Sequence, residues 1–356
     1  MSRSFAGPMQ GLDVFKAVAA QLIVLHHLAF YGPMPDAAWS LAPDLFGWLA
    51  NHARVAVQLF IVMAGFLTAH TLAPAGQLSV PVGFGLVARR YLRLALPFCV
   101  ALLVCMACSA LVRGTLDPAL VPHAPSARQF LAHVFLMHDL FGFDALSAGA
   151  WYVAIDLQLF VLFLGLMHFG GRIGQYAGAV LVFCTALAGF FHFNRDASWD
   201  VFGVYYFGAY GLGVYARWAL NSLVWRRAFG VLAVIAVLAL IVDYRVRLAV
   251  AVVMACMLCW SLRWQLAPLV AALSRYLART SYALFLTHFS VLLLINMVAT
   301  RWFGHSRGGN LAGLLLAWGL ANVVAHVFHR RVEVPALQWI ARVRPRLAAG
   351  AAAASA

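Results

Sequence analysis

The sequence predicts an all-α, polytopic membrane helical bundle with about ten transmembrane helices and both termini in the cytoplasm. Of its 356 residues, 64% are hydrophobic and only 10% are charged, whereas about a quarter of the residues in soluble domains are charged. The mean hydropathy is +0.88. Apolar runs of about 20 residues recur along the chain, which is the length that crosses a bilayer as a helix. A membrane barrel would instead show alternating segments of about ten residues.

Ten apolar runs are long enough to be assigned as membrane spans. They cover residues 12–31, 54–72, 90–112, 149–169, 173–193, 200–219, 228–243, 246–262, 280–299 and 310–329. The stretch 127–143 is amphipathic and too short and polar to span, so we predict that it lies on the outer surface or re-enters the membrane. The longest outer loops are then 32–53 and 113–148, which we expect to cover a site that opens outward.

The net charge of +14 reflects topology, because the basic residues lie at the ends of the apolar runs. With the N-terminus inside, 17 of the 25 basic residues face the cytoplasm, namely Arg3, Lys16, Arg89, Arg90, Arg93, Arg172, Arg217, Arg226, Arg227, Arg263, Arg275, Arg279, Arg330, Arg331, Arg342, Arg344 and Arg346. Lys and Arg concentrate on the cytoplasmic side of membrane proteins. We therefore expect membrane lipid, and no nucleic acid, as a partner of these charges.

The chain is predicted to form a single membrane domain over residues 1–346, followed by a disordered low-complexity tail over 347–356. The first helix carries acidic and basic residues and lacks a small-residue cleavage pattern, so we expect it to be retained. The six cysteines lie in apolar runs and predict no disulfide framework. Cys256 and Cys259 have metal-like spacing without further ligands nearby, so we interpret them as packing residues and expect no metal.

The first helix carries ionisable side chains on one face. From Lys16 to His27 an ideal helix turns through about 1100°, so both groups share a stripe roughly 16 Å long, and Asp13 lies one turn before Lys16. Ionisable groups within a bilayer are costly and normally face a protein interior or a wet cavity. The stripe therefore indicates the wall of a site. Alternatively, Lys16 reaches the headgroups on one side while His26 and His27 lie near the other interface.

Three arginines, Arg89, Arg90 and Arg93, open the third span at its predicted cytoplasmic end. Guanidinium groups bind phosphate oxygens through forked hydrogen bonds, so this cluster is a candidate phosphate site. The alternative is ordinary topological anchoring with contact to anionic lipid.

Three further polar side chains stand out in apolar surroundings. Asp156 lies about two turns into the fourth span, where it needs a histidine or a basic partner, or forms a structural ion pair. His288 lies in the middle of a span and is either a core residue with its hydrogen bonds satisfied or a functional one. Glu333 follows the last span beside Arg330 and Arg331, with which it alternatively forms a solvated pair.

Taken together, the order and spacing of these phrases resemble acyltransferase family 3, a family of integral membrane acyltransferases. That family has an arginine, ten intervening residues and a histidine in its first helix, where this chain has Lys16 and His27. The other matching phrases are Phe60–Leu67 for FFVLSGFL, Arg90 with Arg93 for R-x-x-R, Trp151–Gln158 for W-S-L-x-x-E-x-Q, Ser281–His288 for S-Y-x-x-Y-L-x-H and Val332–Pro335 for v-E-x-P. The resemblance covers nearly all of residues 10–340.

The chain departs from the family pattern at three positions. Lys16 replaces arginine, Asp156 replaces glutamate and Ala64 replaces serine. The first departure matters most for donor contacts, because lysine keeps the charge but cannot form a bidentate fork.

The resemblance implies acyl transfer, most often of acetyl, from cytoplasmic acyl-CoA to a hydroxyl of a cell-envelope carbohydrate or related acceptor, in a bacterial-type inner membrane. It implies acetyl-CoA or another acyl-CoA as the donor. The implied site comprises catalytic His27, Lys16, Asp156 and Glu333; donor-binding Arg89, Arg90 and Arg93; and substrate-binding Trp151, Tyr282 and His288.

In that site, a neutral His27 takes the proton of the acceptor hydroxyl, Asp156 orients or balances it, and Lys16 lines the donor path.

Two other functions fit the same buried charges. In a secondary transporter they would form a proton or substrate relay, although the halves of the chain show no convincing repeat. In a catalytically inactive partner of envelope polysaccharide assembly, the lysine at position 16 would mark lost activity.

Overall fold

A computed structural model of the chain describes residues 9–261 and 263–342. In that range the chain is helical, and its one β-bridge joins Arg113 to Leu116. The helices are α1 (Gln10–Phe30), α2 (Pro33–Ala38), α3 (Pro43–His52), α4 (Val57–Leu72), α5 (Phe84–Val112), α6 (Ala127–Val134), α7 (Ala150–Ile173), α8 (Ala177–Phe191), α9 (Gly203–Trp218), α10 (Leu223–Val242), α11 (Val246–Ser261), α12 (Pro268–Trp302) and α13 (Arg307–Phe328). The predicted all-α class is confirmed.

Each of the ten predicted spans coincides with a helix. Within the described residues, eight helical segments are long and apolar enough to cross a membrane. The remaining two, α9 and α11, have 16 residues each. The orientation of the termini stays a prediction, and Arg3, Arg344, Arg346 and the predicted tail 347–356 lie outside the described residues.

Two regions are more helical than the sequence suggested. The outer segment 32–53 contains α2 and α3, each of which begins with a proline whose fixed φ suits the first helical turn. The last span was predicted to end at residue 329, but its helix extends past Glu333. It continues through a π-helical turn over His329–Glu333 and then as an α-helix over 334–342.

Pro335 explains the π-helical turn. It has no backbone N–H to donate to the carbonyl of Arg331, and its ring collides with that carbonyl in a regular α-helix. The chain accommodates this by bonding the N–H of Val334 to the carbonyl of His329, five residues back.

The helices divide into two compact units. Unit 1 contains the described residues of Met1–Ala17 together with Val57–Leu86 and Ile155–Ala278, and unit 2 contains Val18–Ala56, Val87–Ala154 and the described residues of Arg279–Ala356.

Helix α9 is the centre of unit 1. It packs against α4, α8, α10 and α11, and nearly all of its residues are buried. Glycines make this possible: a Cβ on Gly213 would lie 1.9 Å from the carbonyl oxygen of Val62, and one on Gly65 would lie 2.1 Å from that of Tyr210. Small residues of this kind let helix backbones approach closely where lipid provides no hydrophobic drive for association.

Unit 2 is held together by polar links from α1 and α12. Gln21 on α1 accepts a hydrogen bond from the Trp318 indole of α13 at 2.8 Å. Asn296 on α12 donates to the carbonyl of Tyr31 at 3.3 Å and accepts from the N–H of Met34 at 3.3 Å. These bonds fix the C-terminal end of α1 against α12.

The segment after α5 carries a buried histidine pair in unit 2, outside the spans. The rings of His133 and His138 stack with centroids 4.0 Å apart, and both residues are fully buried. His133 Nδ1 donates to the carbonyl of Gln129, and its Nε2 accepts from the N–H of Leu146. Burial, together with the neighbouring His138, lowers the pKa of His133 to about 4. Burial likewise lowers the pKa of His138 to about 4.

We predict that Gly213→Ala lowers the free energy of unfolding by about 1–3 kcal/mol, because the new methyl group meets backbone that cannot rotate away. The measurement is the midpoint of unfolding in detergent. Gly230→Ala on α10 is the matched control, since no atom lies within 4 Å of its added Cβ. Equal midpoints for the two variants would contradict the close α4–α9 contact.

We also predict that the stability of the protein declines as pH falls from about 6.5 towards about 4. The folded state keeps His133 and His138 neutral in that window while the unfolded chain binds protons, so protonation favours unfolding. His138→Phe keeps a ring on His133 and removes one titrating group. Its stability should fall less steeply with decreasing pH, by up to about 1.4 kcal/mol per pH unit.

The measurement is the thermal unfolding midpoint between pH 7.5 and 4.5, with His123→Phe as the control at an exposed histidine. Parallel curves for the wild type and His138→Phe would show that the pair does not govern acid stability.

Candidate active site

The two histidines that the sequence singled out in separate spans are in direct contact in unit 2. His27 Nδ1 lies 2.6 Å from His288 Nε2, and the ring planes are nearly parallel, at 8°. His288 is buried, with 2% of its surface exposed, and His27 is half-buried. The pair therefore joins a partly accessible imidazole on α1 to an enclosed one on α12.

The hydrogen bonds determine where the protons of this pair lie. His288 Nδ1 is 3.0 Å from the carbonyl oxygen of Leu284, which can only accept, so Nδ1 carries the hydrogen. In the neutral ring, Nε2 of His288 is then an acceptor, and the hydrogen between the two rings belongs to Nδ1 of His27. We therefore assign the lone pair of neutral His27 to its Nε2. This nitrogen is suited to accept a proton from a hydroxyl.

His26 has a different environment from its neighbour. Its Nδ1 lies 3.0 Å from the carbonyl of Leu49 on α3, its ring stacks on Phe30, and it is 7% exposed. Consecutive helical residues are about 100° apart, which separates the two rings. His26 thus anchors the outer helix α3, whereas His27 faces α12.

Aromatic side chains surround the histidine pair. Tyr31 lies one turn beyond His27, with ring centroids 5.5 Å apart, and it also meets the Phe289 ring edge-on. Phe285 lies one turn before His288 and contacts Tyr152 at 5.5 Å. The Phe285 ring approaches to 2.7 Å of where a Cβ on Gly149 would lie, and Gly149 has φ +83°. Glycine is required at that position both for space and for conformation.

The predicted donor-binding and substrate-binding residues also lie in unit 2. Arg89 and Arg90 are half-buried and Arg93 is exposed, in the first three turns of α5. Tyr282 donates its hydroxyl to the carbonyl of Leu94 at 2.8 Å, which ties α12 to α5 beside Arg93. Trp151 is half-buried, with its ring perpendicular to that of Tyr152. The roles assigned to these residues stay predictions.

Glu333 has a histidine as its neighbour. Its Oε2 lies 2.8 Å from Nδ1 of His329 within the π-helical turn, and both side chains are shielded from solvent for the most part. The spacing of four residues between them was readable from the sequence. The sequence pattern suggested Arg330 and Arg331 as partners of Glu333, whereas the structure pairs it with His329.

Lys16 and Asp156 belong to unit 1. Lys16 is half-buried on α1, and Asp156 on α7 is 5% exposed. Two residues after Asp156, Gln158 accepts from the N–H of Gly203 at 2.7 Å and donates to the carbonyl of Val201 at 3.1 Å. These bonds tie α7 to the start of α9 through Gln158, which lies about 200° around the helix from Asp156.

Comparison with known proteins identifies the family. The sequence model of acyltransferase family 3, described as an acyltransferase domain, matches residues 9–328. The chain belongs to acyltransferase family 3. Nearly the whole chain therefore corresponds to the acyltransferase domain of that family.

One curated relative is the regulator of hypoxia-inducible factor 1 from Caenorhabditis elegans, 27% identical over 178 residues. The match covers 44% of this chain and 34% of that protein, so the match spans about a third of the relative's length. No solved structure matches the chain.

We predict that His27→Ala lowers the acyltransferase rate by about 10²–10⁴-fold, the usual contribution of a general base. His26→Ala should retain most of the activity, because His26 bonds to a backbone carbonyl of α3. The measurement is acyl transfer by the purified variants at equal expression and equal unfolding midpoints.

The partner of His27 provides a second test. His288→Gln keeps an acceptor for the Nδ1 hydrogen of His27 and should be more active than His288→Phe, which fills the space without an acceptor. An active His27→Ala variant, or equal losses for His26→Ala and His27→Ala, would show that another residue accepts the proton.

Proposed function

We propose that the protein transfers an acyl group, most often acetyl, from acyl-CoA to a hydroxyl group of a cell-envelope carbohydrate or related acceptor, in a bacterial-type inner membrane. The observation that carries the proposal is the proton arrangement of the His27–His288 pair. It supplies a neutral imidazole with a lone pair at Nε2, which O-acyl transfer requires and which plain structural packing does not.

In direct transfer, the acceptor hydroxyl attacks the carbonyl carbon of the thioester. Its proton passes to Nε2 of His27, the new C–O bond forms, the C–S bond breaks, and the CoA thiolate takes up the proton. While His27 carries the extra proton, its Nδ1–H continues to donate to His288 Nε2. A hydrogen bond from a charged donor is stronger than one from a neutral donor. The bond to His288 therefore stabilises the imidazolium that forms on His27 during the reaction.

His288 acts as a positioning residue in this scheme. Its Nδ1–H is fixed to the carbonyl of Leu284, so its Nε2 always presents a lone pair to His27. An aspartate would perform the same orienting task with a charge, as in hydrolase triads. A neutral imidazole avoids the cost of an additional carboxylate among buried helices. Under this proposal, Asp156 contributes charge balance and Lys16 lines the donor path.

The donor is proposed to be held at Arg89, Arg90 and Arg93. Arg90 and Arg93 lie one turn apart at the start of α5, so their guanidinium groups are spaced for the several phosphates of CoA. The Tyr282 hydroxyl bond to the carbonyl of Leu94 keeps this end of α5 against α12, the helix that carries His288.

We predict that purified protein in detergent releases free CoA thiol from acetyl-CoA, and that Arg90→Ala and Arg93→Ala each raise the donor KM by about 10- to 100-fold, with a larger rise in the double variant. Each lost charge-assisted hydrogen bond is worth about 1.5–3 kcal/mol. Arg128→Ala, at an exposed position on α6 that is predicted to lie outside, is the control.

Unchanged donor kinetics in the double variant would make these arginines topology anchors. Absence of thiol release from the wild type would favour a transporter or an inactive partner. Mass spectrometry of envelope glycans from cells with and without the protein identifies the acceptor.

A further inference from the structure

A buried guanidinium in unit 1 has hydrogen-bond partners but, among the described residues, no carboxylate as a counter-ion. Arg217 lies in the last turn of α9 and is 7% exposed. Its Nε donates to Nδ1 of His70 at 2.9 Å, and its Nη1 donates to Oδ1 of Asn221 at 2.9 Å. Because His70 accepts through Nδ1, it is neutral in this arrangement. Both partners therefore orient the cation without neutralising it.

Buried charges in proteins are normally paired, because removing an unpaired ion from water is expensive. Elsewhere in unit 1, for example, Asp243 pairs with Arg195 and Arg245. No described carboxylate forms an ion pair with Arg217. Its two hydrogen bonds use two of the five guanidinium N–H groups, and the other three form no hydrogen bond within the described residues. These N–H groups point to an anion from outside the chain.

The start of α10 provides an independent indication of the same ligand. Ser222 caps this helix through the N–H of Trp225, and its first turn holds Arg226 and no acidic residue, with Arg227 following. A helix N-terminus has a partial positive charge, so arginines there are unfavourable on their own. Both arginines are exposed. Three guanidinium groups and a helix N-terminus thus lie within eleven residues of sequence, an arrangement that an anion would stabilise.

The surroundings of Arg217 are rigid. The Trp218 indole donates to the carbonyl of Ala73 at 2.6 Å, and the Asn221 amide donates to that of Pro74. Trp218 and Trp225 contact each other with ring centroids 5.0 Å apart. The Trp225 ring also fills the space beside Gly76, so close that a Cβ there would meet it at 2.3 Å. The end of α9, the turn after α4 and the start of α10 therefore form one fixed platform.

We propose that Arg217, oriented by His70 and Asn221, binds a phosphate group at this platform, with Arg226 and Arg227 adding to its affinity. A phosphate offers several oxygens to the free edge of the guanidinium and compensates its charge. Two molecules carry this chemistry at a membrane surface: the acyl-CoA donor and an anionic phospholipid. The first source rests on the proposed function, and the second does not.

The test uses the full chain reconstituted in nanodiscs of phosphatidylcholine, with two probes. CoA is titrated in solution, and phosphatidylglycerol is introduced into the nanodisc and measured by native mass spectrometry as retained lipid. Arg217→Gln should weaken binding of at least one probe by about 10- to 100-fold. Arg217→Lys, which keeps the charge, should lose less. Arg172→Gln, at an exposed arginine of unit 1, should match the wild type.

A double variant, Arg226→Gln with Arg227→Gln, tests the same site if Arg217→Gln fails to fold. Both of its side chains are exposed, so we expect the double variant to fold. It should weaken the same probe severalfold. Loss confined to CoA assigns the platform to the donor, and loss confined to phosphatidylglycerol assigns it to lipid; either supports the phosphate site.

Wild-type affinity for both probes in the double variant, and in Arg217→Gln where that variant folds, would overturn the inference, even if the protein releases thiol from acetyl-CoA. Conversely, phosphatidylglycerol binding that depends on Arg217, in a protein that does not cleave acetyl-CoA, would sustain the site and remove the proposed function.

Discussion

Polar side chains inside an apolar helix bundle must find hydrogen-bond partners within the protein, and this constraint determines contacts in both units. In unit 2 it joins His27 to His288 and Asn296 to the end of α1. In unit 1 it joins Arg217 to His70 and Asn221. The bonds of His27 to His288, of Asn296 to Tyr31 and of Arg217 to His70 tie helices that are distant in sequence, so these polar pairs help to determine which helix faces meet. Under the two proposals, each set of bonds leaves one group available. The Nε2 lone pair of His27 can accept a proton, and the outer edge of the Arg217 guanidinium can bind an anion.

Much of the fold was predictable because helical membrane spans have a strong and local signature. Each of the ten apolar runs coincides with a helix, including α9 and α11 at 16 residues each. The helix ends were harder to predict. Residues 32–53 are rich in Pro, His and Asp and were expected to be a loop, yet prolines at first-turn positions begin helices. The sequence did not show which helices pack against the glycines of α4 and α9, because a contact such as that between Gly213 and Val62 depends on how two helices cross.

The sequence was sufficient to nominate candidate residues for the site, whereas the contacts between these residues were harder to predict. Spacing on α1 distinguished His27 from His26, and His288 was recognised as a polar residue in a span. Their direct bond could not be inferred, since 261 residues separate them and no local pattern encodes the pairing. Arg217 was counted only as a topological charge. The signal that it differs from other cytoplasmic arginines is its burial at the end of a helix enclosed on all sides, which only tertiary packing reveals.

The π-helical turn over His329–Glu333 has a consequence for comparing relatives of this protein. A turn bonded five residues back contains one residue more than an α-helical turn, so the helix after it is rotated by about 100° from the register that α13 establishes. A homologue that lacks the extra residue keeps a continuous helix and needs a gap in its alignment here. Acidic residues equivalent to Glu333 in homologues must then be matched by their position on the helix surface. Counting back from the proline equivalent to Pro335 would superimpose side chains that face different neighbours.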